Sequence, residues 1–350
     1  MYLIKRKKLT FFASTLVLLL SMTTAGVCKT DALSNNTFKD KKLLNCIEAH
    51  LKNEKLSPGS LAKIRILRCP DKGIVDLAGL ELLTSVHSLD LGSNKIKTLT
   101  SLASLKSLER LILTNNQVTQ LTALEGLELL RVLWLNKNTI NDLLPLKKLK
   151  NLNLLVLNEN NISSLKPIAN LTKLKKLWLT SNKIKEISDL EKLSNLELVA
   201  LGSNQISSLP EFEHMGKLTG LELSNNQLIN ITPLNKLITL SRLDLKNNKI
   251  EDASPLGDLI NLKKLSLNKN HIKKNIGSVI ALPKLTFLGI RENQITTLET
   301  KLLNANKTVE LIAKKIDVTG NCIKKFPPEE LEKSMRLTIS GKENQRSDCS

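Results

Sequence analysis

Aromatic side chains are scarce. They make up 3% of the 350 residues, with only two tryptophans and one tyrosine. Leucine, isoleucine, asparagine and lysine dominate instead, and such uniform usage points to internal repetition. The usual signatures of catalysis are also missing. His50, His87, His214 and His271 are scattered, without partners at metal-ligand spacing. There is no glycine-rich phosphate loop, nucleophile elbow or paired-carboxylate motif. The sequence therefore gives no ground to expect an enzyme, a bound metal or a small-molecule cofactor.

Acidic residues are in deficit, and the formal charge is +19. That balance favours anionic partners such as lipopolysaccharide, acidic glycans, nucleic acid or acidic membranes. The lysines, however, are spread along the chain rather than gathered in a tract, and no row of exposed aromatics accompanies them. A solvated surface explains them more simply, and nucleic acid is not the expected partner.

Long apolar runs are confined to the start. MYLIKRKK is a basic segment, LTFFASTLVLLLSM an apolar one, and the small residues of TTAG follow. This is the layout of a secretory signal, with Thr23 and Ala25 offering a small-x-small cleavage site and processing expected within 25–32. The competing readings are a retained anchor, for which the run is short, and lipid attachment at Cys28, for which the preceding AGV is a poor match. Residues 1–28 are assigned to the signal and 29–36 to a linker. The remainder is expected outside the cytoplasm, secreted or periplasmic, as a monomer with no membrane span. Loss of Lys5, Arg6, Lys7 and Lys8 with the signal leaves a charge of about +15. No cysteine falls between Cys69 and Cys322, so four remain in two terminal pairs. An even number in an exported chain implies disulfides, and the distribution suggests Cys46–Cys69 and Cys322–Cys349, although three pairings are possible.

What the chain has in abundance is a period. In the motif LxLxxNxI the asparagines are Asn94, Asn116, Asn138, Asn160, Asn182, Asn204, Asn226, Asn248 and Asn270, at intervals of 22, followed by Asn293 and Asn321. The unit reads LxxLxLxxNxIxxLxxLxx, as in LTKLKKLWLTSNKIKEISDLEK at 171–192. The LxL alternation makes a short strand, and the later three-residue spacing suits tight turns or 3₁₀ segments. One unit cannot bury its own leucines, but stacked units can, giving a parallel sheet and a continuous core. The asparagine falls where the chain leaves the strand, and its amide can serve backbone groups of adjacent coils. These asparagines are expected to form a structural ladder.

This pattern resembles the short, SDS22-like leucine-rich repeats of bacterial internalins, over roughly residues 61–325. The resemblance implies an α/β leucine-rich repeat solenoid, with strands on a concave face, 3₁₀ or irregular segments on the convex side, and a helical amino-terminal cap. It also implies binding of host proteins through the concave face. The stretch 37–60 is the expected cap, with Leu43, Leu44, Ile47 and Leu51 at helical spacing. The repeats then run over 61–320 and a carboxy-terminal cap over 321–350. In IRILRC, Ile64 and Ile66 are placed in a first strand with Cys69 near the asparagine position, so a Cys46–Cys69 bond would pin the helix to the sheet. No wall-anchor motif is present.

If the leucines five and three residues before each asparagine point inward, residues six, four and two before it face the concave side. The middle column has an apolar centre of Ile112, Trp134, Val156, Trp178 and Ala200, then turns acidic at Glu222 and Asp244. Beside it lie Val132, Leu154, Leu198 and Phe287, with Arg110, Lys176 and Arg242. An apolar patch with a charged rim is the anatomy of a protein interface. The expected function is a secreted, non-enzymatic module that binds a partner protein there, with the indoles projecting into water. The alternatives are a polyanion binder using distributed lysines and an enzyme inhibitor on the same scaffold. For Glu222 and Asp244, a solvated acidic rim competes with a cation or basic-partner site.

Overall fold

Each LxL triplet places one leucine inward between two residues of opposite parity, and this alternation builds the sheet one short strand at a time. In a computed structural model, the structure describes residues 33, 37–52, 54–273, 275–298, 314–334 and 336–347. The signal, the linker bar residue 33, Cys28 and Cys349 lie outside these residues. Strands β1 (Ile66–Arg68), β2 (Ser88–Asp90), β3 (Arg110–Ile112), β4 (Val132–Trp134), β5 (Leu154–Val156), β6 (Lys176–Trp178) and β7 (Leu198–Ala200) follow in order. They continue as β8 (Gly220–Glu222), β9 (Arg242–Asp244), β10 (Lys264–Ser266), β11 (Phe287–Gly289), β12 (Lys314–Asp317) and β13 (Leu337–Ser340). All 13 belong to one sheet, in chain order.

The register carries the repeat without slippage. Leu111, Leu133, Leu155 and Leu177 are Cα partners on successive strands, and all are fully buried. The outgoing segments form 3₁₀ turns such as Thr122–Leu124 and Leu144–Lys148, each burying one leucine against the core. Phe212 and Met215 fill this layer in the repeat that follows β7, where Phe212 takes φ 56° and its N–H donates to Glu191 Oε1 at 2.9 Å.

The asparagines close the edge of every coil. Asn182 donates from Nδ2 to the carbonyls of Leu157 (3.0 Å) and Leu179 (2.9 Å), and its Oδ1 accepts from the N–H of Ile162 (3.0 Å). Asn138 and Asn248 repeat the arrangement, and at the far end Asn321 does so from Ile295 N–H, Ile290 and Val318. The residue just before each ladder asparagine is left-handed, including Lys137 (φ 57°), Glu159 (55°) and Ser203 (53°). A non-glycine side chain is disfavoured there by roughly 1 kcal/mol or more, and the ladder bonds offset the cost. Charges outside the core pair between neighbouring coils, as in Lys175–Glu197 (3.1 Å) and Lys148–Glu125 (3.1 Å). Being exposed, such pairs contribute little each.

At the amino-terminal end, helix α1 (Lys41–Leu51) buries Leu43, Leu44, Ile47 and Leu51. Asp40 caps it by accepting from Lys42 N–H (2.8 Å), while its other oxygen accepts from Val75 N–H (2.7 Å), tying the helix to the first coil. Burial pushes the Asp40 carboxyl upward, but these backbone donors, with those of Asp76 and Leu43, outweigh it and hold its pKa low. Cys46 and Cys69 form a disulfide, with Cα atoms 5.9 Å apart. Gly79, at φ 98°, lies against Phe38, whose ring would be 2.5 Å from any Cβ there.

The first strand departs from the expected parity. Leu67 and Cys69, not Ile64 and Ile66, occupy the two inward leucine positions: Leu67 pairs with Leu89, and Cys69 N–H donates to Asp90 O. Ile66 instead faces the concave side, 52% exposed. The disulfide therefore enters the core layer, since a cysteine two residues beyond a buried leucine shares its face. Cys322 is disulfide-bonded as well; its expected partner, Cys349, lies outside the described residues.

Candidate functional site

On the concave face Trp134, Val156 and Trp178 are Cα partners across β4, β5 and β6. That spacing puts the two indoles about 10 Å apart, at ~4.8 Å per strand. Neither points freely into water: both tryptophans are half-buried, and Val156 between them retains 7% of its surface. On a parallel sheet, neighbouring side chains on one face stand about 4.8 Å apart, closer than an indole is wide, so large rings pack against their neighbours. The Arg110 guanidinium lies 6.0 Å from the Trp134 ring centre, at the outer limit of a cation–π contact. The Trp134 indole Nε1 is buried and meets no acceptor among the described residues. A buried donor left unpaired costs about 1–3 kcal/mol.

Ile112, Val132, Leu154, Leu198 and Ala200 are half-buried around this pair, and Phe287 on β11 is 40% exposed. The face also continues beyond the tryptophans. A concavity of about 450 Å³ opens from Trp178 across β7 to β11, lined by Leu198, Ala200, Glu222, Arg242, Asp244, Lys264 and Phe287. The part from β8 to β11 is more polar along the sequence and has no run of apolar residues to mark it. Ala200 and Ser266 are the small residues along the hollow between Trp178 and Phe287, whereas the space over Gly220 and Gly289 is filled by the Leu198 and Asn268 side chains.

Glu222 does not behave as a rim charge. Its carboxylate accepts from Gly202 N–H (2.9 Å), Ser224 N–H (2.9 Å), the Ser224 hydroxyl and the Thr180 hydroxyl (3.4 Å). Its oxygens fill the place where a side chain at Gly202 would start. The sequence hid this because the partners come from three different coils. Asp244 is less engaged, accepting from Lys246 N–H at 2.9 Å. Arg242 and Lys264 are exposed, and neither forms an ion pair among the described residues, nor does half-buried Lys176.

Fold and repeats together define a leucine-rich repeat solenoid. A model of the family described as leucine-rich repeats (2 copies) matches residues 84–126, 150–192 and 172–214. More particularly, the chain resembles internalins. It is similar to an internalin (inlF) of Listeria monocytogenes, with 27% identity over 87% of this chain and 96% of that one, at a TM-score of 0.72. An internalin C2 (inlC2) of the same organism is 28% identical over 67% of this chain and 96% of its own, with a TM-score of 0.55. The functional domain of InlJ, also from Listeria monocytogenes, shares the fold at 21% identity, covering 87% of this chain and 66% of its own, with a TM-score of 0.73. No curated protein matches the sequence. The scaffold is that of a protein-binding module, and the Cys46–Cys69 disulfide fits an oxidising, extracytoplasmic setting. Among the described residues, no helix is long and apolar enough to cross a membrane.

Proposed function

We propose that this is an exported, non-enzymatic protein that holds a partner protein, from a host or a cell surface, on its concave face. The observation that carries this is the registered trio Trp134, Val156 and Trp178, which sets both tryptophans of the chain on one face of one sheet, two strands apart. Tryptophan commonly dominates interface energetics, at about 2 kcal/mol or more on truncation. The unpaired Trp134 N–H adds support, because a ring that turns to meet an incoming carbonyl regains a hydrogen bond. A polyanion-binding role has less behind it, since the lysines are spread along the whole chain and some are paired with glutamates of the next coil, as Lys137 is with Glu159 and Lys269 with Glu292. Trp134→Ala combined with Trp178→Ala is expected to abolish capture of a partner from host-cell extracts, while circular dichroism and thermal unfolding confirm the solenoid. Undiminished capture by a folded double variant would refute the concave-face role.

A further inference from the structure

We infer that the primary seat on this face lies in the hollow between Trp178 and Phe287, and that it receives an extended, acidic segment of the partner bearing bulky apolar side chains. This rests on the protein-binding role proposed above and adds to it the position of the contact and the partner's chemistry.

The walls and floor come first. Trp178, Ala200, Glu222, Asp244, Ser266 and Gly289 are consecutive Cα partners from β6 to β11. Five strand steps of ~4.8 Å span about 24 Å, which an extended chain covers in about seven residues at ~3.4 Å each. Trp178 stands at one end and the exposed ring of Phe287 at the other, with Ala200, Glu222, Asp244 and Ser266 along the floor between them. The hollow is open to solvent along its length, and its volume of about 450 Å³ falls in the size range of ligand pockets. The trio at Trp134 has no such depth, because Val156 fills the space between its rings.

Charge then selects the occupant. Glu222 spends its carboxylate on donors from its own coil and two earlier ones, so it presents no open oxygen pair to a ligand. Arg242 and Lys264 project from adjacent strands on the same edge of the hollow, paired with one another in register. The lining carries two cations and two carboxylates, but Glu222 turns its charge to internal donors and Asp244 is partly engaged by Lys246 N–H, so exposed Arg242 and Lys264 are the charges most open to an acid between them. A segment with carboxylates toward Arg242 and Lys264 and apolar side chains toward Leu198, Trp178 and Phe287 satisfies both halves of the site. A bound metal cation is a poor fit for the same reason: Glu222 has no free ligand atoms, and the flanking cations repel it.

The test is selection of a displayed library of random decapeptides on the full-length chain, followed by fluorescence anisotropy with the enriched peptides. Acidic residues next to leucine, phenylalanine or tryptophan are expected among them. Arg242→Glu with Lys264→Glu should weaken these peptides at least about tenfold and reverse the charge of newly selected sequences. Phe287→Ala should weaken them several-fold, and Trp134→Ala should leave them unchanged. Enrichment of basic peptides, binding indifferent to the charge-reversed variant, or no enrichment at all would each overturn the inference. The broader role is judged separately: capture from extracts that depends on Trp134 and Trp178 survives even if no peptide is selected, and then the partner is read as a folded surface.

Discussion

The asparagine ladder and the concave columns are built from the same coils, yet they obey opposite rules. At the ladder position one residue type recurs through eleven coils, and its amide is saturated by backbone. Four residues earlier, the side chain changes from coil to coil, from indole to valine to alanine to carboxylate. The difference follows from where each position looks. The ladder side chain faces backbone groups that are identical in every coil, so one chemistry answers all of them. The concave side chain faces solvent or a partner, and nothing in the coil prescribes it.

The strongest way to break this contrast is to treat both columns alike. Asn182→Ala strips partners from Ile162 N–H and from the carbonyls of Leu157 and Leu179. At about 1–3 kcal/mol per buried group, urea unfolding should show a loss on the order of 4 kcal/mol. Trp178→Ala, on a half-buried side chain, should cost less than half of that in the same measurement. Equal losses would mean that the concave column is scaffold too.

The ends of the solenoid sharpen the contrast, because there repetition stops and special devices replace it. Replacing Cys46 and Cys69 with serine opens a link across 23 residues, for an expected loss of about 3 kcal/mol. Hydrogen exchange should place that loss in α1 and the first coils, not the centre. A comparable effect is expected at the other end through Lys314. This residue is buried, donates to the carbonyls of Ile280 (2.6 Å) and Leu282 (2.8 Å), and burial lowers its pKa to about 8. Below that pH the folded chain must hold a buried ammonium. Between about 8 and the ordinary 10.5 the unfolded chain binds more protons, so stability should rise with pH across this window. The gain is about 3 kcal/mol at most, and it should vanish in Lys314→Met. The smallest effect belongs to the turn before the ladder: Ser203→Gly relieves a left-handed serine at φ 53° and should raise the unfolding midpoint slightly, by less than about 1 kcal/mol in stability.

Much of the fold was legible because stacking makes each coil the environment of the next, so a 22-residue period in LxLxxN already contains the strand, the turn and the sheet order. The first strand was misread by three positions, with Cys69 at an inward leucine place instead of near the asparagine, because IRILRC offers hydrophobic residues at both parities and only the pairing of Leu67 with Leu89 selects between them. Of the candidate site, the columns could be read from parity, whereas the partial burial of the indoles, the burial of Val156 and the inward commitment of Glu222 could not. Those depend on side-chain packing between coils, which carries no period.

The sequence by itself determined the repeat, its register and the composition of each face, since these follow from spacing along one chain. Only the tertiary structure decided which members of a column are used up internally and which remain open. Lys175 and Lys314 hold the same position in their coils, one exposed and pairing with Glu197, the other buried between carbonyls. Trp134 and Trp178 likewise share a position, but only Trp178 borders the hollow that ends at Phe287. Their shared place in the repeat leaves such pairs equivalent; what separates them is the side chains that adjoining coils bring within reach.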